Sequence, residues 1–566
     1  MLLVTSLRPS ASVARAAFCV CVAMRYLPLL VLTGWATAVT GAILAAPTVQ
    51  LDSATVTGTT SGSSSKFLGI PFAKPPVGDL RFRLPQPIPA YATNFNATSF
   101  GLSCPQQSVS LPIVSGLAAD AVNFIVNSIY GAIFPDSEDC LTINVVKRAS
   151  ATPSSGLPVV VWIYGGGFEL GGTSMYDGGV IVDRSVALGS PVIYVSMNYR
   201  VSAFGFLASK EVRAAGAGNL GLQDQREALR WVQKYIGAFG GDPSKVTIWG
   251  ESAGAISVSL HMIANNGDNE GLFRAGFMQS GSPIPVGAIE NGQKYYDALV
   301  SQTGCAGASD TLACLRTVPY ATLKAAMNKS PNIFSYQSLS LAWVPRADGT
   351  FLTDNPQRLV QQGKVANIPF ITGDCDDEGT LFSLSTLNIT TEAQLKTYIQ
   401  TVYLPGISAA EVDKLATLYP ADITQGSPYD TGILNALTPQ SKRIASFQGD
   451  GVFQAPRRFF LSQRSGQQNT WAFLSKRLKA LPVLGSAHGS DILNVYGGGG
   501  MADYLIRFAT NLDPNDNTGL QWPKYTVSNP KLLTFLDGLI PVTITDDTYR
   551  AEAMAYLTNV TLAHPL

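Results

Sequence analysis

Ser252 sits in Gly250-Glu251-Ser252-Ala253-Gly254, a match to the G-x-S-x-G pattern of an activated serine nucleophile. The run before it, Val246-Thr247-Ile248-Trp249, is β-branched and aromatic and predicts a buried strand. After it, Ala255 to Ile263 contains no proline or glycine and predicts a helix. A serine on so sharp a strand-to-helix turn projects its hydroxyl beyond the sheet, with a helix N-terminus behind it. The competing interpretation is a glycine-rich connector, which the strand before and the helix after argue against.

A serine hydroxyl needs a general base, and the chain has only three histidines. His261 follows on the helix behind the turn, where packing or solvent would claim it. His564 lies next to the end of the sequence, where order is least expected. His488 lies in Gly485-Ser486-Ala487-His488-Gly489-Ser490, a small-residue loop after an expected strand, Trp471 to Leu474. That is the place for a catalytic base. Its acid partner is expected between Ser252 and His488, just beyond a strand. Ile368 to Thr372 is such a strand, and Asp374, Asp376, Asp377 and Glu378 follow it. Residue types and spacing do not choose among these four. Acyl transfer also needs donors for a tetrahedral oxyanion. The N–H of Ala253 is one candidate, and the glycine loop Gly165-Gly166-Gly167-Phe168 is a source of others. No Gly-Lys-Ser/Thr follows that loop, which excludes a phosphate loop. No Cys or His spacing suits a metal, and no cofactor is expected.

The elements that must position these groups alternate. Apolar runs at Leu157–Tyr164, Pro191–Met197, Val246–Trp249, Ile368–Thr372 and Trp471–Leu474 predict strands of one large sheet. Leu229, Val232, Ile236 and Phe239 predict an intervening helix that ends at Gly240-Gly241. Such alternation indicates an α/β sheet with its ligands at the carboxyl ends of the strands. The 566 residues contain no internal repeat or long linker, so one elaborated domain over 46–566 is expected. Lys+Arg and Asp+Glu both total 39, which gives no electrostatic case for nucleic acid or an anionic membrane. Residues 1–45 read as a secretory leader whose only charges are Arg8, Arg15 and Arg25, with Met24 an alternative start. Pro28, Gly34 and Gly41 make its apolar stretch a poor spanning helix, and removal is expected near Ala45-Ala46. Sequons at Asn96, Asn328, Asn388 and Asn559 are candidates for glycosylation and fit an exported chain.

With these pieces placed, the chain resembles the type-B carboxylesterase/lipase family, which includes the cholinesterases. Within it, the chain is similar to secreted fungal lipases of the Candida rugosa type. The markers are Phe67-Leu68-Gly69-Ile70-Pro71-Phe72-Ala73, Ser137-Glu138-Asp139-Cys140-Leu141-Thr142-Ile143-Asn144-Val145, Gly165 to Phe168, and Asp224-Gln225-Arg226 through Gly254. The resemblance runs from about Ala46 to Leu566. It implies an α/β-hydrolase fold, a large central, mostly parallel sheet flanked by helices, with a disulfide-closed lid loop. It also implies Glu378 as the acid, His488 as the base, and Gly166, Gly167 and Ala253 as oxyanion donors. The pairings Cys104–Cys140 and Cys305–Cys314 follow the family pattern and leave Cys375 free. On the chain-entropy account these bridges contribute about 4 and about 3 kcal/mol.

The resemblance makes the segment 105–139 a mobile lid. From Pro105 to Phe134 its only charge is Asp120, so an opened lid would present apolar area to a lipid surface. A fixed helix packed on the domain is the alternative. The expected activity is a Ser-His-Glu acyl-enzyme hydrolysis of carboxylic esters, as a lipase on long-chain acylglycerols. A carboxylesterase or sterol esterase is the second reading and a non-catalytic binding protein the third. Acyl-chain preference would depend on a tunnel lining near Ile256 and Phe382, and nothing in the sequence sets the oligomeric state.

Overall fold

The computed structural model describes residues 45–109, 135–516 and 518–566. The expected leader, apart from Ala45, and positions 110–134 of the expected lid lie outside the described residues. In chain order the first strands are β1 (Thr48–Leu51), β2 (Ala54–Thr57), β3 (Thr59–Ser61), β4 (Ser64–Pro71), β5 (Phe95–Asn96), β6 (Thr142–Arg148) and β7 (Leu157–Ile163). Then come β8 (Ile193–Met197), β9 (Gly241–Glu251), β10 (Ala275–Gln279), β11 (Phe370–Cys375), β12 (Thr470–Ser475), β13 (Lys531–Phe535) and β14 (Val542–Asp546).

Eleven of these form one sheet in the order β14-β13-β12-β11-β10-β9-β7-β8-β6-β4-β3, while β1, β2 and β5 form a small second sheet. From β8 through β13 every pairing is parallel, and antiparallel strands close both flanks. Parallel strands are covered on both faces, so they read as continuous apolar runs, and β8, β10, β11 and β12 are buried at every position. Where β7 and β9 pair, Trp162 is in register with Trp249, and their ring centroids lie 4.2 Å apart. Tyr496 stacks on Trp249 at 5.4 Å, so three large rings fill the centre of the core.

All five expected strands are present, some displaced at their ends by up to three residues, and the one through Val246–Trp249 runs longer, from Gly241 to Glu251. The helix expected through Leu229 is α1 (Leu220–Tyr235), which begins earlier, after Asn219 in the left-handed conformation. Ile236 and Phe239 fall in a 3-10 turn, and Gly240 ends it at φ 92°. The helix after Ser252 is α2 (Ala253–Gly267), with non-helical backbone from Ala264 to Asn266. Because β7 to β13 run the same way, the segments that leave β7, β9, β10, β11 and β12 all emerge at one edge of the sheet. The candidate residues lie in those segments.

Candidate active site

Ser252 joins β9 to α2 with φ 55° and ψ −127°, a conformation that costs a non-glycine residue about 1–3 kcal/mol. Two contacts hold it there. Its N–H donates to the carbonyl of Gln279 at the end of β10 (2.8 Å). Behind it, Gly254 packs so tightly on β7 that a Cβ would sit 1.9 Å from the Ile163 carbonyl oxygen. Any larger residue would push the turn off the sheet.

The structure brings His488 to this turn. Its Nε2 lies 2.8 Å from Ser252 Oγ, and its Nδ1 lies 2.5 Å from Glu378 Oε2. With the Nδ1 proton directed at the carboxylate, Nε2 is free to accept the serine proton. Phe453 and Phe382 pack their rings 4.4 and 5.1 Å from the imidazole. Burial pushes His488 down to about 4, because its charged form is desolvated; the same burial raises Glu378, and the hydrogen bonds from Ser280 and the Cys375 N–H oppose that rise and favour the carboxylate.

Four carboxylates were candidates for the acid, and their partners separate them. Asp374 pairs with the buried Arg457 (2.7 Å). Asp377 pairs with Lys479 (2.7 Å) and accepts from the N–H groups of Tyr429 and Ser486, and Asp376 also faces Lys479. Glu378 alone of the four reaches His488. Its other oxygen accepts from Ser280 Oγ and from the Cys375 N–H, both at 2.6 Å. Cys375 is free and buried, so its backbone rather than its thiol orients the carboxylate.

The other two histidines make no hydrogen bond to Ser252. His261 is buried on α2, 2.8 Å from Gln225 Oε1, in a packing role. His564 has its Nε2 3.1 Å from Glu411 Oε1 and lines the cavity beside Ser252.

The glycine loop leaves β7 and turns back under Ser252. Gly166 has φ 105°, and a Cβ there would meet the Leu170 carbonyl at 2.3 Å. Among the described residues, the N–H groups of Gly166 and Gly167 have no protein acceptor. Ala253 is the first residue of α2, where an N–H has no intrahelical partner. The loop is braced by the stem of the disulfide-closed segment: Gln106 exchanges two hydrogen bonds with Gly171, at 2.6 and 2.8 Å. Both expected disulfides, Cys104–Cys140 and Cys305–Cys314, are formed.

Sequence reasoning missed three contributors. Gln279 binds Ser252 through its carbonyl, Trp249 through Oε1 (2.6 Å) and Asp491 through Nε2 (3.0 Å), so it ties the serine turn to the histidine loop. Ser280 is the second. No strand was read at Ala275–Gln279, the element that carries both to the turn of Ser252, so the sequence reading had no signal for either. Glu251, inside the serine motif, is the third. Its Oε1 lies 3.4 Å from His488 Nε2, and neither carboxyl oxygen has a hydrogen-bond partner among the described residues. Burial, then the nearby Asp491 and Glu378, push its pKa well above the usual carboxylate range.

Ser252, Ala253 and Gly167 face a cavity of about 250 Å³. Much of its wall is apolar and includes Ile256, Ile333, Leu341, Phe382, Val452 and Phe453. Among the described residues, no cluster of three or more His, Cys, Asp or Glu could hold a metal ion, and no helix is long and apolar enough to cross a membrane.

The profile of the carboxylesterase family matches residues 45–554. The chain is 48% identical over 503 residues to Lipase 2 of Diutina rugosa, covering 86% of this chain and 91% of that one. It is 39% identical over 530 residues to a secreted triacylglycerol lipase of Gibberella zeae, covering 90% of each. The crystal structure of Aspergillus niger EstA superposes with a TM-score of 0.78 at 27% identity, covering 92% of this chain and 99% of that chain. The fold is that of an α/β-hydrolase. The chain belongs to the carboxylesterase family and is a carboxylic ester hydrolase.

Proposed function

We propose that this chain is a secreted lipase that hydrolyses long-chain acylglycerols through a Ser252 acyl-enzyme. The observation that carries the proposal is the hydrogen-bonded chain from Ser252 to His488 to Glu378 beside an apolar cavity. As Ser252 Oγ attacks the ester carbonyl, its proton passes to His488 Nε2, and Glu378 stabilises the imidazolium that results. The carbonyl π pair moves onto oxygen, which takes hydrogen bonds from the N–H groups of Gly166, Gly167 and Ala253. Collapse of the tetrahedral intermediate breaks the bond to the alcohol, which leaves with the proton held by His488. Water then gives a proton to His488 as it attacks the acyl-enzyme. Collapse of the second tetrahedral intermediate breaks the bond to Ser252 Oγ, which takes that proton back from His488 as the acid leaves.

The acyl chain is placed in the cavity beside Ser252. Ile256 and Phe382, both on its wall, fit a role in chain-length preference. Export is supported by the name of the Gibberella zeae relative, and we read residues 1–45 as a leader removed near Ala45-Ala46. Residues 46–566 are read as a single catalytic domain. Exposed side chains at Asn96, Asn388 and Asn559 suit glycosylation, and Asn328 is half-buried. Contact of 110–134 with a lipid surface is proposed from the composition of that segment.

The test is turnover of p-nitrophenyl esters from acetate to stearate, together with emulsified triglyceride and cholesteryl ester. Preference for long chains and for the triglyceride emulsion is the expected result. Preference for cholesteryl ester would make the chain a sterol esterase, and preference for short soluble esters a carboxylesterase. A folded protein inactive on all of them would overturn the catalytic reading.

A further inference from the structure

The cavity beside Ser252 has one wall built from residues 564–566. The helix Ala551–Ala563 delivers this tail, and Pro565 prevents the helix from continuing. The tail is then fastened by its backbone. The Leu566 N–H donates to the Pro285 carbonyl (2.9 Å), and the Leu566 carbonyl oxygen accepts from the Gly287 N–H (2.6 Å) and from Arg346 Nη1 (2.8 Å). Asn291 Nδ2 donates to the Pro565 carbonyl (3.4 Å).

Arg346 shows how much of the structure is committed to this tail. It is 5% exposed, its Nε has no hydrogen-bond partner, and burial pushes it down to about 10. Its Nη1 bond to Leu566 is the one side-chain bond it donates among the described residues. Every hydrogen bond that fastens Leu566 is made by its backbone, so a change of side chain leaves those bonds in place. That side chain packs on the hydrophobic core, and the residue lines the cavity with Ile284 and Val286. Other apolar wall residues, such as Ile256 on α2, are fixed by the packing of their own elements. Leu566 is half-buried where Ile256 is buried, so its side chain has more room to change size.

We propose that Leu566 is a specificity-determining residue, its side chain forming the adjustable part of the wall that limits the acyl chain accepted beside Ser252. The inference rests on the reading that the acyl chain occupies this cavity. A single methylene in an apolar pocket changes discrimination by about 10-fold or more, so one leucine side chain is enough to set a limit.

The experiment compares Leu566→Ala and Leu566→Trp, which keep every backbone anchor, by the ratio of kcat/KM for p-nitrophenyl stearate to that for the octanoate. Leu566→Ala should raise the ratio about threefold or more, and Leu566→Trp should lower it about 10-fold. Leu341→Trp, on the wall of the same cavity, tests the underlying reading and should also lower the ratio. If Leu341→Trp shifts the ratio and both Leu566 variants match wild type, the role of Leu566 is overturned and the acyl cavity stands. If Leu341→Trp and both Leu566 variants all match wild type, the acyl-cavity reading falls and takes the inference with it. Deleting Pro565 and Leu566 gives an independent check: Tm should fall as Arg346 loses its acceptor, and the ratio should rise. A deletion that changes neither contradicts the proposal.

Discussion

The two halves of the active site are held in place by different physics. On the serine side, position is set by close packing of backbone on backbone: the strained Ser252, and Gly254 against the Ile163 carbonyl. On the histidine side, position is set by a buried polar network. Glu378 takes Ser280 and Cys375 on one oxygen and His488 on the other, while Asp377 and Lys479 brace the loops around them. Gln279 bridges the halves, through its carbonyl to Ser252 and its amide to Asp491. The first half should therefore fail when volume is added, and the second when a proton or hydrogen bond is removed.

The largest effect is expected from Gly254→Ala. A methyl group 1.9 Å from a backbone oxygen has no flexible neighbour to yield, so the turn must move at a cost of about 3 kcal/mol or more. Activity should vanish and Tm should drop. A folded, active Gly254→Ala protein would show that packing does not set the position of Ser252.

Glu378→Gln should do the reverse, sparing the fold and damaging the chemistry. The neutral amide keeps the shape but cannot stabilise an imidazolium. We expect kcat to fall by roughly 10³–10⁴ with little change in Tm. Equal losses of Tm for the two variants would erase the contrast.

Ser280→Ala removes one of two donors to Glu378 Oε1 and leaves the Cys375 N–H in place. A decrease in kcat of about 10-fold, near 1.4 kcal/mol, is expected, with KM nearly constant. A change in KM alone would assign Ser280 to the cavity rather than to the carboxylate.

The smallest test is the acid limb of kcat/KM in the wild-type enzyme. The base must be neutral to accept the serine proton. Burial moves His488 from the usual 6.5 down to about 4, so activity should persist below pH 6.5 and decline only as pH falls toward 4. A limb at or above 6.5 would mean that the histidine is less desolvated than its surroundings indicate.

The same contrast explains what was legible in the sequence. The serine half could be read directly, because glycines at fixed offsets between a strand and a helix are the covalent record of tight packing. His488 followed from the scarcity of histidines. The acid did not follow, since Asp374, Asp376, Asp377 and Glu378 differ only in partners that come from distant segments: Arg457, Lys479 and Ser280. A family resemblance selected Glu378, and local pattern did not. Five parallel strands were legible as continuous apolar runs, whereas the parallel strands β10 and β13 were not read at all, and β4 and β6, on the antiparallel flank, were recognised only as family markers. The early start of α1 was hidden because Asp224, Gln225 and Arg226 are buried polar residues that interrupt its apolar stripe.

The central claim is that Ser252 is the nucleophile of an intact Ser-His-Glu relay, and covalent trapping tests it most directly. The full chain would be treated with a long-chain alkylphosphonate p-nitrophenyl ester, weighed by intact mass spectrometry, and mapped by peptide analysis. The account predicts one adduct, on Ser252, and none on a folded Ser252→Ala protein. A stoichiometric adduct on any other residue, or undiminished labelling of Ser252→Ala, would contradict it.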